Sequence, residues 1–386
     1  MTINTNQAIR ETLMRVYEVT YPHAGVDSFL PFDLGIIKLT TVNNPGIFKF
    51  RRKKSLGGLN FVRLPGTEIR QRRTGIDYID QETGLYHFED GETMNPALVL
   101  RSQNPDSLDP SDGYNLQLAI QHQMDSILVR TGNTARLFAS LGLVPSITID
   151  GHTYQNTAIE QVDYSSLWNW ASTSTANPIN NLFDLSENYF GTNKPAPGLT
   201  ILMRSKQEVN LVKNSNVLQQ LGFETKAGLS GVRVTDFGAV QRVFLQGSQP
   251  ITLYVWNDGY RSSTNSDPYD NISYFLDPNY IVAIPNAYWV QTPGNIMSQT
   301  LVTPRSTTNP MVELLLAPQE EFMSKVGRLT GGLNIGAFTV PGAYFYSGYG
   351  NMYEPAKPDE YKTLMACSMG LFVEQFANIK YIKVQS

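Results

Sequence analysis

The clearest hydrophobic pattern in the chain is a helical stripe between Asp109 and Gly142. Its apolar positions recur at i, i+4 and i+7, the spacing that puts side chains on one face of a helix. Asp109 and Pro110 suit the first turn, and Gly142 suits a left-handed residue just after the last turn. The pattern predicts one long helix over 109–142, which is either an ordinary core helix or a rod with one polar face open to a partner. The stripe includes Leu116, Ile120, Met124, Ile127, Leu128 and Phe138.

Shorter apolar runs, separated by glycine and proline, predict strands along much of the remaining chain. A tight hairpin is expected around the Asp150-Gly151 turn, and two shorter helices are expected, one capped by Asn177 and one capped by Ser205. Further strand-like runs lie at 34–42, 199–203, 240–246, 251–256, 280–284, 311–316, 360–373 and 378–384.

The stretch 46–100 is distinctive because its charges are segregated. Nine basic residues and one acid lie between Lys49 and Arg73, whereas six acids and no lysine or arginine lie between Asp77 and Glu92. Short strand-like runs with few large apolar residues predict an extended β-hairpin that buries little of itself. Three interpretations of its charges stay open: contact with a complementary surface on another copy of the chain, phosphate binding by the basic half, or local pairing.

Composition narrows the class of protein. The chain has 386 residues of which 41% are hydrophobic, enough for a substantial core, and its net charge of −4 argues against a dedicated nucleic-acid binder. Cys367 is the single cysteine, so no disulfide can form within the chain. No apolar run is long enough to span a membrane, and the first thirty residues do not predict a secretion signal.

No catalytic or metal-binding motif is visible. The histidines lack metal-ligand spacing, and Walker, G-x-G-x-x-G and G-x-S-x-G motifs do not occur. Cys367 lies in an apolar run with no activating base nearby, which predicts a buried structural thiol. The loop with Asp258, Asp267 and Asp270 lacks EF-hand spacing. The sequence therefore predicts a protein that is not an enzyme and that carries no cofactor and no metal.

The order of these parts carries a resemblance. An Asp-Pro pair introduces the long helix, which runs into an apolar strand ending in Asp-Gly at 147–151. Trp168 precedes an Asn-Pro pair and a helix over 177–189, a strand and helix follow at 199–221, and a Pro-Asp pair leads into the terminal strands at 358–384. In this order the chain resembles the lambda-type major capsid proteins (the major capsid protein E family), which have the capsid fold first seen in phage Hong Kong 97.

The resemblance implies an α+β, Hong Kong 97-like capsid fold with five regions. They are an N-terminal arm at 1–45, an extended loop at 46–100, a peripheral domain at 101–198 with the spine helix 109–142, an axial domain at 199–355, and C-terminal strands at 356–386 that return to the peripheral domain.

The same resemblance implies the function. The chain would be the major capsid protein of a tailed bacteriophage, assembling with itself into pentamers, hexamers and an icosahedral shell around double-stranded DNA that it binds non-specifically. Scaffold, portal and decoration proteins would be further partners, with assembly in the host cytoplasm and no membrane involved. A nanocompartment shell protein of the encapsulin type and a soluble ligand-binding protein are the alternatives. The residues expected to contact neighbouring subunits are Arg51, Arg52, Lys53, Lys54, Arg70, Arg72, Arg73, Asp77 and Glu82.

Overall fold

Most of the described strands belong to two large sheets. A computed structural model describes residues 29–41, 48–53, 78–83, 85–94, 112–188, 198–217, 233–234, 240–246, 249–261, 272–286, 288–291, 299–302, 311–317, 333–335, 338–340, 344–349, 361–373 and 379–385. The helices are α1 (Leu30–Asp33), α2 (Asp112–Ser140), α3 (Ser165–Trp168), α4 (Pro178–Asn188) and α5 (Ser205–Lys213). The strands are β1 (Ile37–Thr41), β2 (Phe48–Lys53), β3 (Tyr78–Thr83), β4 (Tyr86–Met94), β5 (Ser146–Ile149), β6 (His152–Gln155), β7 (Glu160–Asp163), β8 (Leu199–Met203), β9 (Arg233–Val234), β10 (Val240–Gln246), β11 (Gln249–Val255), β12 (Gly259–Arg261), β13 (Ile272–Tyr274), β14 (Tyr280–Pro285), β15 (Tyr288–Gln291), β16 (Gln299–Val302), β17 (Val312–Ala317), β18 (Leu333–Ile335), β19 (Phe338–Val340), β20 (Tyr344–Tyr349), β21 (Tyr361–Val373) and β22 (Lys380–Lys383).

The first large sheet has five strands and is centred on β21. β1 pairs in parallel with β17, and β17, β20 and β4 each pair antiparallel with β21. Residues 361–366 of β21 pair with both β20 and β4, so those two strands lie on opposite edges of β21. The segment containing α1 and β1 includes the buried residues Phe29, Leu30, Ile36 and Ile37, so residues 29–41, predicted within the N-terminal arm, lie on the body of the protein.

The second large sheet has seven strands in the order β7-β22-β14-β8-β11-β10-β9. All five residues of β8 are buried, because side chains from both faces of this strand enter a core. One face contributes Leu202, Val282 and Ile284 to a core that also contains the inner side of α2 and of the five-stranded sheet. The opposite face contributes Ile201 and other residues to a second core with α4 and α5. The α+β class predicted from the sequence is therefore confirmed.

The long helix α2 is continuous from Asp112 to Ser140, within the predicted range 109–142. Of the predicted stripe, Ile127 and Phe138 have no exposed surface. Leu116, Ile120, Met124 and Leu128 lie in the same helix, and their side chains are outside the described part of the structure. None of the described helices combines the length and hydrophobicity needed to cross a membrane.

The two sheets and two cores draw elements from several of the regions predicted from the sequence. β22 does not return to the sheet beside the long helix; it lies between β7 and β14 in the seven-stranded sheet. β17 and β20, predicted within the axial region 199–355, belong to the five-stranded sheet. α4, predicted within the peripheral region 101–198, packs through Leu182 into the second core. Short apolar elements have similar sequence patterns, and long-range pairing decides which sheet or core each one joins.

Gly142 was predicted to be a left-handed residue, and this prediction is wrong. Among the described glycines, positive φ occurs at Gly35, Gly151 and Gly198. At Gly142 the constraint is close approach, because an added Cβ would lie 2.4 Å from Cγ1 of Val312 on β17 and 3.1 Å from the carbonyl oxygen of Ala139. Glycine therefore lets the end of the long helix contact the five-stranded sheet directly.

The Gly142→Ala variant should have a free energy of unfolding lower by about 1–3 kcal/mol, because the new methyl group overpacks a buried contact. Denaturant unfolding of the purified subunit measures the change. Val312→Ala is the matched partner, since it removes the two methyl groups that the new Cβ would meet. In the double variant the two effects should be clearly less than additive. Strict additivity, or a stabilised Gly142→Ala protein, would contradict this account of the contact.

Candidate assembly interface

Two strands of the charged stretch pair with each other and hydrogen-bond to neither large sheet, although β3 lies near β21. β2 and β3 pair with each other in a separate two-stranded sheet. Their register sets Lys49 opposite Glu82 and Arg51 opposite Asp80. Residues opposite each other in an antiparallel pair share a face of the sheet, so each of these basic positions is paired with an acidic position. We call β2 and β3 the charged hairpin.

The predicted contact residues fall into two groups. Arg51, Arg52 and Lys53 end β2, and Glu82 lies near the end of β3. The remaining residues, Lys54, Arg70, Arg72, Arg73 and Asp77, lie in the 54–77 connection between the two strands, outside the described residues.

β4 continues the chain from the charged hairpin and lies along the long helix. Its alternate residues turn to the helix, first the aromatic Tyr86 and Phe88, then the acidic Asp90 and Glu92. The ring centroids of Tyr86 and Phe88 lie 5.6 and 5.5 Å from that of Phe138 on α2. Tyr154 of β6 completes this cluster, with its ring centroid 5.7 Å from that of Phe138 and perpendicular to it. These edge-to-face contacts fix one half of β4 against the end of the helix.

Arg130 of the long helix holds the other half of β4. Its Nε donates to Oδ2 of Asp90 at 2.5 Å, and its Nη2 donates to Oδ1 of the same carboxylate at 3.2 Å. Its Nη1 donates to Oε1 of Glu92 at 2.6 Å and to the hydroxyl of Ser126 at 2.6 Å. The planar guanidinium thus holds two carboxylates at once, a geometry that a lysine ammonium could not reproduce. We call Arg130, Asp90 and Glu92 the β4 clamp.

The electrostatics of the clamp favour the ionised pair. Partial burial acts to lower the pKa of the Arg130 guanidinium, but the hydrogen bonds and charges of Asp90 and Glu92 outweigh burial and raise that pKa. All three side chains keep about 30% of their surface exposed, so solvent screens the attraction. The clamp therefore contributes little to stability. Its main effect is to fix the orientation of β4 on the long helix.

Sequence reasoning missed the clamp. The periodicity of the long helix predicts a polar face but does not single out Arg130. The signal lay in β4, where two aromatic and two acidic residues share one strand face. Alternate residues of a strand lie on one face, so if the aromatic residues of β4 face the helix, its two acids on the same face do too. Partly buried acids then require a basic partner on that helix.

Two potentially reactive groups, the Cys367 thiol and the His87 imidazole, have structural roles in the five-stranded sheet. Complete burial raises the pKa of the Cys367 thiol to about 12, so the thiolate is strongly disfavoured. Nδ1 of His87 lies 2.7 Å from the hydroxyl oxygen of Ser368, but Ser368 has no exposed surface. This imidazole–hydroxyl contact therefore ties β4 to β21 where no substrate could reach the hydroxyl.

Replacing Arg130 by Met, which keeps the apolar stem, should lower the free energy of unfolding by about 1 kcal/mol, because the pair is partly solvated. A double-mutant cycle with Asp90→Ala measures the coupling directly and should give a value of about 0.5–1 kcal/mol that falls with added salt. Asp184→Ala is the control. Asp184 is an exposed residue of α4, the helix that packs into the second core. Equal coupling of Arg130 to Asp184 and to Asp90 would rule out the clamp.

Comparison with known proteins gives similarity in structure and none in sequence. No family model matches the chain, and no curated protein is similar to it in sequence. The head structure of Helicobacter pylori bacteriophage KHP40 is 13% identical, covers 92% of this chain and 91% of its own, and has a TM-score of 0.44. The capsid of H. pylori bacteriophage KHP30 is 14% identical, with 90% and 87% covered and a TM-score of 0.42.

A third similar structure is the capsid of cyanophage P-SCSP1u, at 11% identity, with 93% and 89% covered and a TM-score of 0.40. Similarity at this level does not by itself assign a function. These three solved structures are a phage head and two phage capsids.

Proposed function

We propose that this chain is the major capsid protein of a tailed bacteriophage. Copies of it would assemble into pentamers and hexamers and then into an icosahedral shell that encloses double-stranded DNA. The role is structural rather than catalytic.

The observation that carries the proposal is the charged hairpin, together with the attachment of the next strand, β4, to the long helix. β2 and β3 join neither large sheet, while the strand that follows them is fixed to a helix of 29 residues. A two-stranded hairpin is marginally stable by itself in water, so it gains stability when a second surface covers it. Since the charges of the hairpin are of both signs, a second copy of the same chain is a suitable surface.

A shell built from one chain sets a particular requirement on this contact. The same surface must serve five-fold and six-fold rings, so it has to tolerate a change in angle. Charged side chains on an extended loop meet this requirement better than a close-packed apolar surface, because screened ion pairs depend weakly on geometry. We infer that Arg51, Arg52, Lys53, Lys54, Arg70, Arg72 and Arg73, with Asp77 and Glu82, contact neighbouring subunits.

We infer that the two sheets belong to two different domains of the subunit. The five-stranded sheet and the long helix would form the peripheral domain, with α2 as its spine. The seven-stranded sheet, with α4 and α5, would form the axial domain around the symmetry axes. Residues 1–28 would belong to the N-terminal arm, and the charged hairpin with its 54–77 connection to the extended loop.

Further partners follow from the proposed role. A scaffold protein, a portal and a decoration protein would act with the shell, and assembly would take place in the host cytoplasm before the protein becomes part of the virion. The net charge of −4 favours non-specific, weak contact with the enclosed DNA.

Purified recombinant protein should elute as capsomers or as megadalton particles, well above the 43.1 kDa of one subunit. Electron microscopy of the same fractions should show rings or closed shells of uniform diameter. A monomer or small oligomer at all concentrations and salt conditions would contradict the proposal and favour a soluble ligand-binding protein.

Reversing Arg70, Arg72 and Arg73 to Glu should abolish particle formation, because three attractive contacts to a neighbour become repulsive. The subunit itself should keep its circular dichroism spectrum and its thermal midpoint, since the substituted residues lie in the 54–77 connection. The matched control changes the same three residues to Lys, which keeps the charge and should still give particles. Normal particles from the Glu variant would remove the loop from the assembly interface.

A further inference from the structure

The short helix α3 presents the most exposed large apolar side chain in the described part of the protein. Leu167 keeps 79% of its surface exposed, and the other exposed large apolar residues all keep less than half. A single exposed leucine is ordinary where the backbone is free to move. The case for a function therefore depends on how firmly α3 is held.

Hydrogen bonds before and after α3 fix it to the seven-stranded sheet. The backbone N–H of Tyr164 donates to the carbonyl oxygen of Lys383 at 3.0 Å. The backbone N–H of Trp170 donates to the carbonyl oxygen of Val384 at 3.0 Å, and the side chain of Trp170 is fully buried in the second core. The N–H of Leu167 donates to the carbonyl oxygen of Tyr164 at 3.0 Å, which closes the turn. Leu167 is thus presented by a turn that is tied to the sheet on both sides.

Aromatic packing and a strained residue add to this rigidity. The ring of Trp168 lies between those of Tyr164 and Trp170, with centroid distances of 4.6 and 6.2 Å. Asn169 has a φ of 33°, a left-handed conformation that is unfavourable for a residue other than glycine. This conformation returns the chain to the sheet directly after Trp168 and leaves Leu167 outside. A rigid apolar side chain loses little conformational entropy when a partner covers it.

The strand that leads into α3 presents negative charge to solvent. The side chain of Asp163 is 60% exposed, whereas that of its ion-pair partner Lys383 is 29% exposed. Glu160 and its partner Lys380 show the same difference, at 53% and 19%. Since the carboxylates lie further out than the lysines, the outward charge of this edge of the sheet is negative. We call Glu160, Asp163 and Leu167 the α3 patch.

The outer face of α5 carries the complementary features. Lys206, Val209 and Lys213 are all exposed, and their spacing of i, i+3 and i+7 puts them on one face of the helix. Nζ of Lys206 donates to Oδ1 of Asn279, a neutral group that leaves the charge of the lysine uncompensated. Glu208 is half-buried and, at 100° per residue, lies off this face. We call Lys206, Val209 and Lys213 the α5 patch.

We propose that the α3 patch of one copy binds the α5 patch of a neighbouring copy, with Leu167 packed against Val209 and the carboxylates facing the lysines. The inference rests on the self-assembly proposed above and adds a second contact to that of the charged hairpin. Because the two patches are different surfaces, the contact is heterologous, and each copy can offer one patch to each of two neighbours, as in a closed ring. The charges orient the two copies, and the apolar pair between them excludes water.

Cysteine cross-linking in the assembled protein tests the contact. The native Cys367 is fully buried, so it does not compete for a thiol reagent. Leu167→Cys chains are co-assembled with Val209→Cys chains that carry a longer tag, and the product is treated with a short bismaleimide. Linked pairs of one short and one long chain should form in the assembled fraction. The matched control pairs Leu167→Cys with Thr148→Cys, an exposed residue of β5, and should give no linked pairs.

An exchange of charge tests the same contact by assembly. Leu167→Lys places a cation against the lysines of the α5 patch, so the protein concentration at which capsomers form should rise about tenfold or more. Adding Val209→Glu to the same chain gives that cation a carboxylate on the neighbouring copy and should restore assembly. Thr148→Lys adds the same charge elsewhere and should leave assembly unchanged. All three substituted residues are exposed, so the thermal midpoint of the subunit should stay constant.

The outcomes separate this contact from the proposed function. If the wild-type protein forms neither capsomers nor particles, the proposed function is wrong, and the contact is wrong with it. If the wild-type protein assembles but Leu167→Lys assembles at the same concentration, the contact alone is wrong. The contact is also overturned if the Leu167 and Val209 cysteines link no better than the Thr148 control, or if Leu167→Cys chains link only to one another.

Discussion

The seven-stranded sheet must be covered on both faces, and the rest of the structure depends on this constraint. Its central strands alternate side chains between two cores, so neither core can exist without the sheet. One face requires the long helix and the five-stranded sheet, and the other requires α4, α5 and Trp170. The helix therefore has its inner side committed to packing against the two sheets.

β4 of the five-stranded sheet is attached to the helix by two kinds of contact. Tyr86 and Phe88 give this strand its contact energy, whereas Asp90 and Glu92 give it a fixed direction through Arg130. The aromatic half of β4 keeps the strand on the helix. The acidic half fixes the angle between strand and helix and contributes little to stability. A strand attached in both ways can hold an extended hairpin without that hairpin having a core of its own.

Local sequence pattern predicted the elements well and their partners poorly. The helix at 112–140, the Asp150-Gly151 hairpin and the β10–β11 hairpin depend on neighbouring residues, and periodicity or turn chemistry shows them. The pairing of β1 with β17 joins residues such as Ile37 and Val312, and nothing local encodes it. The constraint at Gly142 likewise comes from Val312, so a left-handed turn was the wrong physical reason for that glycine.

The position of β22 has a consequence for the order in which the protein can form. This strand lies between β7 and β14, and in the described part of the chain β7 has no other sheet neighbour. Lys380 and Lys383 also supply the ion pairs to Glu160 and Asp163 that accompany the pairing. During synthesis on the ribosome, β7 must wait until residues 380–383 have emerged before it can join the sheet. Nascent copies on one messenger RNA therefore cannot associate through this completed sheet until the chain from β7 through β22 has been synthesised.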